Sequence, residues 1–209
     1  MIRVKICGIT NAADALAAVE AGANLIGFNF YAKSPRHITE AEAAKIRRQL
    51  PKKVEAVGIF VNAPVTEVTA LCKSLKLDAA QLHGDESAEV VAEIAKVAPV
   101  IKAFSVEPDF RLETLGEYPE AFAFLFDAAH TGQYGGTGHA TDWDVARRAA
   151  ASHRIILAGG LKVENVAAAV RIVRPYAVDV ASGVESKPGK KDHDRLREFI
   201  QEVRRGERK

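Results

Sequence analysis

The sequence RVKICGITNAADALAAVEAGANLIGFNF fills residues 3–30 and contains one complete strand–helix–strand unit. Residues 3–7 are a short run with β-branched side chains, and residues 24–30 are a largely apolar run of strand length. Between them, residues 11–21 carry apolar side chains three to four positions apart, which is the spacing of an amphipathic helix. A strand, a helix and a second strand in succession predict two parallel strands joined by a crossover helix.

The same alternation continues to the end of the chain. Predicted strands occupy residues 3–7, 24–30, 54–61, 78–82, 100–104, 121–126, 154–158 and 177–180. Predicted helices occupy residues 11–21, 39–50, 65–75, 87–97, 110–116 (a weak pattern), 141–151, 163–173 and 193–204. Local signals support three of the helix ends, because Asn11 and Gly22 suit the cap and stop of the first helix, and Thr39 with Glu42 has capping-box spacing.

Eight strand–helix units leave no room for a second domain in 209 residues. Uniform alternation indicates a parallel sheet covered by helices, and eight units favour a single closed (β/α)8 TIM barrel over residues 1–209. The alternative is an open, doubly wound sheet, which usually has fewer units. That alternative lacks support, because Cys7-Gly8-Ile9-Thr10 has one glycine where a dinucleotide fingerprint needs several.

Composition excludes several classes of function. The net charge is +2, from 29 basic and 27 acidic residues, which argues against a nucleic-acid binder that acts through bulk positive charge. No apolar run reaches the roughly 18 residues of a membrane span, and the first residues lack the apolar core of a signal peptide. The two cysteines fit neither a disulfide framework nor a zinc-ligand spacing. We therefore expect a cytoplasmic protein with no metal, no membrane contact and no nucleic-acid partner.

In a (β/α)8 barrel the active site lies at the C-terminal ends of the strands. The strongest local signal there is a pair of glycine-containing turns, Gly159-Gly160 after the seventh predicted strand and Ser182-Gly183 after the eighth. These two loops form the common phosphate site of this architecture, since small residues let backbone N–H groups approach the anion. The alternative is that these glycines only make tight turns. Their joint occurrence in the appropriate two loops favours the phosphate site.

Two reactive side chains also fall at predicted strand ends. Asp127 follows a run of six apolar residues, so its carboxyl could have a raised pKa and act as a general acid, unless it only caps a turn. Cys7 precedes Gly8 at the end of the first strand and could act as a nucleophile or base if a basic group such as Lys5 makes it partly thiolate near neutral pH. The alternative is that Cys7 is only a small buried apolar side chain. We interpret Cys72 in that way.

Other polar residues of the predicted loops are less specific. Arg36 is either a solvated loop charge or, if it turns into the barrel mouth, a bidentate carboxylate ligand. His83 has no partner at metal-ligand spacing, which favours a hydrogen-bonded histidine at the rim. Residues 134–138, YGGTG, are weak as a phosphate motif and fit a lid over the mouth.

Seven blocks in chain order together resemble the phosphoribosylanthranilate isomerase family. They lie between residues 3 and 185 and comprise KICGIT (5–10), KSPR (33–36), QLHG (81–84), Asp127 with GGTG (135–138), Asp142-Trp143, LAGGL (157–161) and DVASGVE (179–185). The combination of KICGIT with SGVE is specific. Two positions depart from the family pattern, namely His139, where a lysine is common, and Ala181, where a serine is usual.

The resemblance implies a (β/α)8 enzyme of tryptophan biosynthesis that catalyses an Amadori rearrangement without a cofactor. It implies Asp127 as the acid that opens the ribose ring, Cys7 as the base, and Arg36 as the ligand of the anthranilate carboxylate. It further implies that the phosphorylated small-molecule substrate is bound at His83, Gly159, Gly160, Asp179, Ser182 and Gly183. The protein would be a monomer or a homodimer.

Two other functions remain as alternatives. A sugar-phosphate isomerase of histidine biosynthesis should carry an aspartate at the position of Cys7 and a second phosphate site after strands three and four, where residues 60–64 offer no glycine pair. A phosphate-binding barrel without catalytic activity would not need both Cys7 and Asp127.

Overall fold

The computed structural model describes residues 1–107, 109–128 and 143–208. Its eight barrel strands are β1 (Arg3–Ile6), β2 (Leu25–Asn29), β3 (Glu55–Phe60), β4 (Ala79–Leu82), β5 (Val100–Val106), β6 (Ala123–Ala128), β7 (Ile155–Leu157) and β8 (Ala177–Val180). All neighbouring pairs are parallel, and β8 pairs with β1 to close the ring, with Lys5 opposite Asp179. The predicted (β/α)8 barrel is therefore confirmed.

The helices that follow the strands are α1 (Ala12–Ala21), α2 (Glu40–Arg47), α3 (Val65–Leu75), α4 (Ala88–Ala95), α5 (Trp143–Ala150), α6 (Val163–Val173) and α7 (His193–Glu207). The predicted helix ends are confirmed at three places. Asn11 accepts a hydrogen bond from the backbone of Asp14, Gly22 ends α1 with a left-handed φ of 108°, and Thr39 with Glu42 forms a capping box.

The fifth connection differs from the prediction. A 3-10 helix, Leu112–Glu117, takes the place of an α-helix between β5 and β6. Gly116 lies inside this segment and Pro119 follows it, and neither residue supports a continuing α-helix. The helix predicted at residues 141–151 is α5, and residues 141–142 lie outside the described part of the chain.

The core has two layers, because successive side chains of a strand point to opposite faces. One layer lies between the strands and the helices, and the other fills the barrel interior with mostly small or branched apolar side chains, including Leu25, Val57, Ala79, Ile101, Ala103, Leu125 and Ala177. Alternate positions that continue the interior layer toward the C-terminal strand ends are polar, and Lys5, Gln81, Asp127 and Asp179 are all buried there. The interior is thus apolar at one end and polar at the end where the site was predicted.

After β8 the chain forms a small antiparallel hairpin that the sequence patterns did not predict. Its strands are β9 (Glu185–Lys187) and β10 (Lys190–Lys191). The turn between them includes Gly189, whose φ is 77°. Within the described residues, no helix has both the length and the apolar character needed to cross a membrane.

Candidate active site

The two candidate catalytic side chains lie at the same end of the barrel, which we call the mouth. Cys7 directly follows β1 and Asp127 lies near the end of β6, with β7 and β8 between them in the ring. The predicted strand end at Cys7 is displaced by one residue, since β1 ends at Ile6. The two groups therefore approach the mouth from different sides.

Cys7 contacts a buried ion pair inside the barrel. The ammonium of Lys5, whose side chain is fully buried, lies 3.0 Å from Asp179 Oδ1 and also hydrogen-bonds the Cys7 thiol. Gly27 on the neighbouring strand leaves room for this cysteine, since a Cβ there would lie 3.2 Å from its Sγ. Lys5 is thus a partner of Cys7, as the sequence predicted, and Asp179 holds Lys5.

The structure corrects the expected acidity of Cys7. Burial raises the pKa of the Cys7 thiol, the Asp179 carboxylate raises it further, and the cations Lys5 and Lys191 lower it without offsetting the rise. The direction of this shift is opposite to the lowered pKa that a partly ionised thiol near neutral pH requires. Cys72 is a buried helix residue, as predicted, and burial raises the pKa of its thiol to about 11.

Asp127 is buried and has an imidazole beside it. Nε2 of His83, at the end of β4, lies 3.5 Å from Oδ2 of Asp127. The other ring nitrogen of His83, Nδ1, is 3.0 Å from Nε2 of Gln81. The Gln81 amide and the Asp127 carboxyl thus contact opposite nitrogens of the His83 ring. The prediction of a hydrogen-bonded rim histidine is confirmed, whereas no sequence pattern indicated its contact with Asp127.

Arg36 turns over the mouth instead of pointing into solvent. Its side chain crosses Gly8 so closely that a Cβ on that glycine would lie 2.5 Å from Cδ of Arg36. The guanidinium makes a two-bond ion pair with Glu185, through Nε at 2.9 Å and Nη2 at 2.8 Å, which raises the pKa of Arg36. The solvated-charge alternative is therefore wrong. Sequence reasoning missed Glu185 as its partner, although the SGVE block contains it.

The two predicted phosphate loops lie side by side. Gly159 and Gly160 have φ values of 74° and 67°, a conformation that favours glycine. A Cβ on Gly183, which lies with Ser182 in the loop after β8, would lie 2.1 Å from the carbonyl oxygen of Leu161. Gly159 and Gly160 are therefore required by the backbone conformation of their loop. Gly183 is required because only a residue without a side chain allows the loop after β8 to contact the loop after β7.

Asn165, in the first turn of α6, holds the loop after β7 and was not predicted. Its Nδ2 donates to the carbonyl of Gly160 and its Oδ1 accepts from the backbone of Lys162, both at 2.9 Å. The asparagine thus fixes the loop at the start of the helix. Only its position in the first turn could have indicated this role from the sequence.

Several predictions fall on residues that the structure does not describe. The YGGTG stretch at 134–138, the departure at His139 and Asp142 lie outside the described ranges. Among the described residues, no group of three or more histidine, cysteine, aspartate or glutamate side chains could hold a metal ion.

A closed barrel with reactive side chains at the C-terminal ends of its strands and glycine turns after β7 and β8 is typical of (β/α)8 enzymes that bind a phosphate. The family model described as N-(5'-phosphoribosyl)anthranilate (PRA) isomerase matches residues 4–202. The chain belongs to this N-(5'-phosphoribosyl)anthranilate isomerase family.

Individual relatives agree with this assignment. The chain is 50% identical to the N-(5'-phosphoribosyl)anthranilate isomerases of Pelobacter propionicus, covering 96% of this chain and 94% of the relative, and of Trichlorobacter lovleyi, covering 98% of each. It is similar to the crystal structure of the Thermotoga maritima enzyme, with 44% identity, a TM-score of 0.91 and coverage of 98% and 99%. A second solved isomerase, 42% identical with a TM-score of 0.87 and the same coverage, is in complex with reduced 1-(o-carboxyphenylamino)-1-deoxyribulose 5-phosphate.

Proposed function

We propose that this chain converts N-(5'-phosphoribosyl)anthranilate into 1-(2-carboxyphenylamino)-1-deoxyribulose 5-phosphate, a step of tryptophan biosynthesis, without a cofactor. The observation that carries the proposal is that Cys7 and Asp127 lie at one mouth in a chain of this family. Family membership also favours this reaction over the histidine-pathway isomerisation and over a barrel without catalytic activity.

Asp127 is the proposed general acid. It protonates the ring oxygen of the ribose, so that the bond from this oxygen to C1' breaks and the anthranilate nitrogen forms an imine with C1'. The His83 imidazole, 3.5 Å from the carboxyl, is positioned to orient it toward the substrate. Burial of Asp127 excludes competing water, which suits proton transfer to a sugar oxygen.

Cys7 is the proposed general base. Its thiolate removes the proton from C2', and the electron pair of that bond shifts toward the imine to give an enolamine. The enolamine then gains a proton at C1' and loses one from the C2' hydroxyl, which completes the ketone. The ammonium of Lys5 stabilises the thiolate by a hydrogen bond and by its charge, against the desolvation that disfavours ionisation.

The remaining residues are proposed to bind the two anionic ends of the substrate. Arg36 binds the anthranilate carboxylate through the edge of its guanidinium that does not face Glu185. The ribose phosphate lies against the loops after β7 and β8, where the small residues Gly159, Gly160, Ser182 and Gly183 let backbone N–H groups approach the anion. His83 and Asp179 line the mouth between these ends.

We infer that the chain is a monomer or a homodimer. A solved relative from Thermotoga maritima, 41% identical with a TM-score of 0.87, is described as a dimeric isomerase from which monomers were generated. Analytical ultracentrifugation at micromolar concentration distinguishes the two states. The cytoplasmic location, the absence of membrane and nucleic-acid partners and the single-domain extent over residues 1–209 stay predictions.

The test of the proposed function is turnover of freshly prepared N-(5'-phosphoribosyl)anthranilate, followed by the change in fluorescence of its anthranilate group. We expect turnover without added metal or cofactor. Turnover of only the two-phosphate substrate of the histidine pathway, or binding without turnover of either compound, would contradict the proposal.

A further inference from the structure

A third charged residue, Lys191, completes the ion pair between Arg36 and Glu185. Its side chain is fully buried, and Nζ lies 2.9 Å from Oε1 of Glu185 and 3.0 Å from the carbonyl oxygen of Ala181. Glu185 is also buried, with a side-chain exposure of 3%, and accepts bonds from both cations. We call these three residues the Arg36–Glu185–Lys191 cluster.

The charges of this cluster do not cancel. Glu185 supplies one negative charge, which its two cationic partners keep ionised by lowering the pKa of the carboxyl against its burial. Arg36 and Lys191 each supply one positive charge, and both partners of the Lys191 ammonium are acceptors. The cluster therefore has a net charge of +1. Without Lys191, the pair of Arg36 and Glu185 would be neutral and would attract a further anion weakly.

The guanidinium has a side available for that anion. Nε and Nη2 of Arg36 are bonded to Glu185, while Nη1 has no hydrogen-bond partner among the described residues. The cluster also lies beside Cys7, since a Cβ on the next residue, Gly8, would lie 2.5 Å from Cδ of Arg36. The Nη1 side is therefore the part of the guanidinium that Glu185 leaves for a substrate carboxylate.

We propose that Lys191 is a positioning residue that gives the site its preference for a substrate carboxylate, by neutralising Glu185 so that the charge of Arg36 remains available. Glu185 in turn fixes the orientation of the guanidinium. The inference rests on the proposed function, because it takes Arg36 as the carboxylate ligand.

A purely structural role would not require a charge at position 191. An apolar side chain of similar length would avoid the cost of burying an ammonium group. Burial lowers the pKa of Lys191 although Glu185 raises it. The hairpin of β9 and β10 nevertheless places Lys191 within 2.9 Å of the carboxylate that holds Arg36.

The test is equilibrium binding of two ligands by isothermal titration. One is reduced 1-(2-carboxyphenylamino)-1-deoxyribulose 5-phosphate, and the other is the same compound with an unsubstituted phenyl ring. We expect Lys191→Met to reduce the preference for the carboxylate ligand by about tenfold or more, the effect of one unit charge removed near a partly buried site. Affinity for the phenyl ligand should change little, and Lys191→Arg should retain the preference.

The double variant Glu185→Gln with Lys191→Met is the matched control, because it removes one charge of each sign and returns the cluster to +1. We expect it to regain most of the preference. An unchanged preference in Lys191→Met, equal loss for both ligands, or no recovery in the double variant would each overturn the inference. If Lys191→Met does not fold by circular dichroism, Lys191→Gln takes its place under the same criteria.

Arg36→Met separates this inference from the proposed function. If Arg36→Met leaves the preference intact, the proposed role of Arg36 is wrong. If Arg36→Met abolishes the preference and Lys191→Met does not change it, only the role of Lys191 is wrong.

Discussion

Lys5 and Cys7 are two positions apart at the end of β1, and this spacing puts both side chains on the interior face of the barrel. The lysine is paired with Asp179 and hydrogen-bonds the thiol. The cysteine therefore has a cationic neighbour at a position where burial removes the thiol from water. Burial nevertheless raises the pKa of Cys7. The proposed base is therefore less acidic than an ordinary thiol.

Replacement of Cys7 tests its role as the base. We expect Cys7→Ala and Cys7→Ser to lower kcat by about 10² or more, since neither side chain forms a thiolate and a hydroxyl is far less acidic. Steady-state kinetics measures the effect. Cys72→Ala is the matched control and should act only through stability, because that cysteine is buried in α3.

Alkylation gives an independent measurement on the same residue. The rate of Cys7 labelling by iodoacetamide should rise with pH above the ordinary thiol range, because the thiol must ionise first and its pKa is raised. A Cys7→Ala enzyme with the activity of the unmodified protein would show that Cys7 is only a half-buried residue after β1.

The acid is tested by a substitution that preserves shape. Asp127→Asn keeps the size of the side chain and its ability to contact His83 but cannot deliver the proton, so kcat should fall by about 10² or more. The affinity for the reduced product analogue should survive. Asp109→Asn is the control, because Asp109 is exposed. A near-normal kcat in Asp127→Asn would exclude Asp127 from the mechanism.

At the scale of the elements, the loop after β7 combines two left-handed glycines with an asparagine clamp. Gly159 and Gly160 take the conformation that a β-branched residue adopts least readily, and Asn165 holds the carbonyl of Gly160. The shape of this loop is therefore set by backbone conformation, and backbone conformation sets where its N–H groups point.

We expect Gly160→Val to weaken inhibition by inorganic phosphate by about 1.5–3 kcal/mol, which is the loss of one hydrogen bond to a charged group. Inhibition kinetics measures the effect. Gly116→Val is the matched control, since a Cβ at that position meets nothing within 4 Å. Equal inhibition constants for Gly160→Val and the unmodified protein would remove this loop from the phosphate site.

Over the whole molecule, Asp14 connects the start of the barrel to its end. Its carboxylate accepts bonds from Asn11 beside α1, from the backbone of Lys191 in β10 and from His193 at the start of α7. Burial raises the pKa of Asp14, but these bonds lower the pKa by a larger amount, so the net shift is downward. The carboxylate form is therefore the one that stabilises the closed ring.

This shift predicts a pH-dependent contribution to the free energy of unfolding. Because the folded-state pKa is lowered, the stabilisation is present above the unfolded value of about 3.9 and is lost as the pH falls through the folded pKa. Asp14→Asn should cost about 1–3 kcal/mol at pH 7, and the difference from the unmodified protein should shrink below about pH 4.

Urea unfolding at several pH values measures this contribution. Asp194→Asn is the control, because that carboxyl is exposed in the first turn of α7. A difference that persists unchanged at pH 3 would mean that Asp14 contributes through packing and not through its charge.

The sequence by itself determined the order and approximate positions of the eight strands, most of the helices, the glycine turns and the presence of Cys7 and Asp127 near strand ends. These features follow from local periodicity and turn chemistry, together with the rule that strand ends converge at one mouth. The 3-10 helix and the β9–β10 hairpin were not accessible in this way, since short elements carry too little periodicity.

Only the tertiary structure decided which charged groups meet. Lys5 and Asp179 are 174 residues apart in sequence, and Arg36 and Glu185 are 149 apart. Such pairings depend on the closure of the ring, which no local pattern encodes. The acidity of Cys7 was misjudged for the same reason, because the free energy of ionising a thiol depends on how far strands from elsewhere in the chain remove it from water.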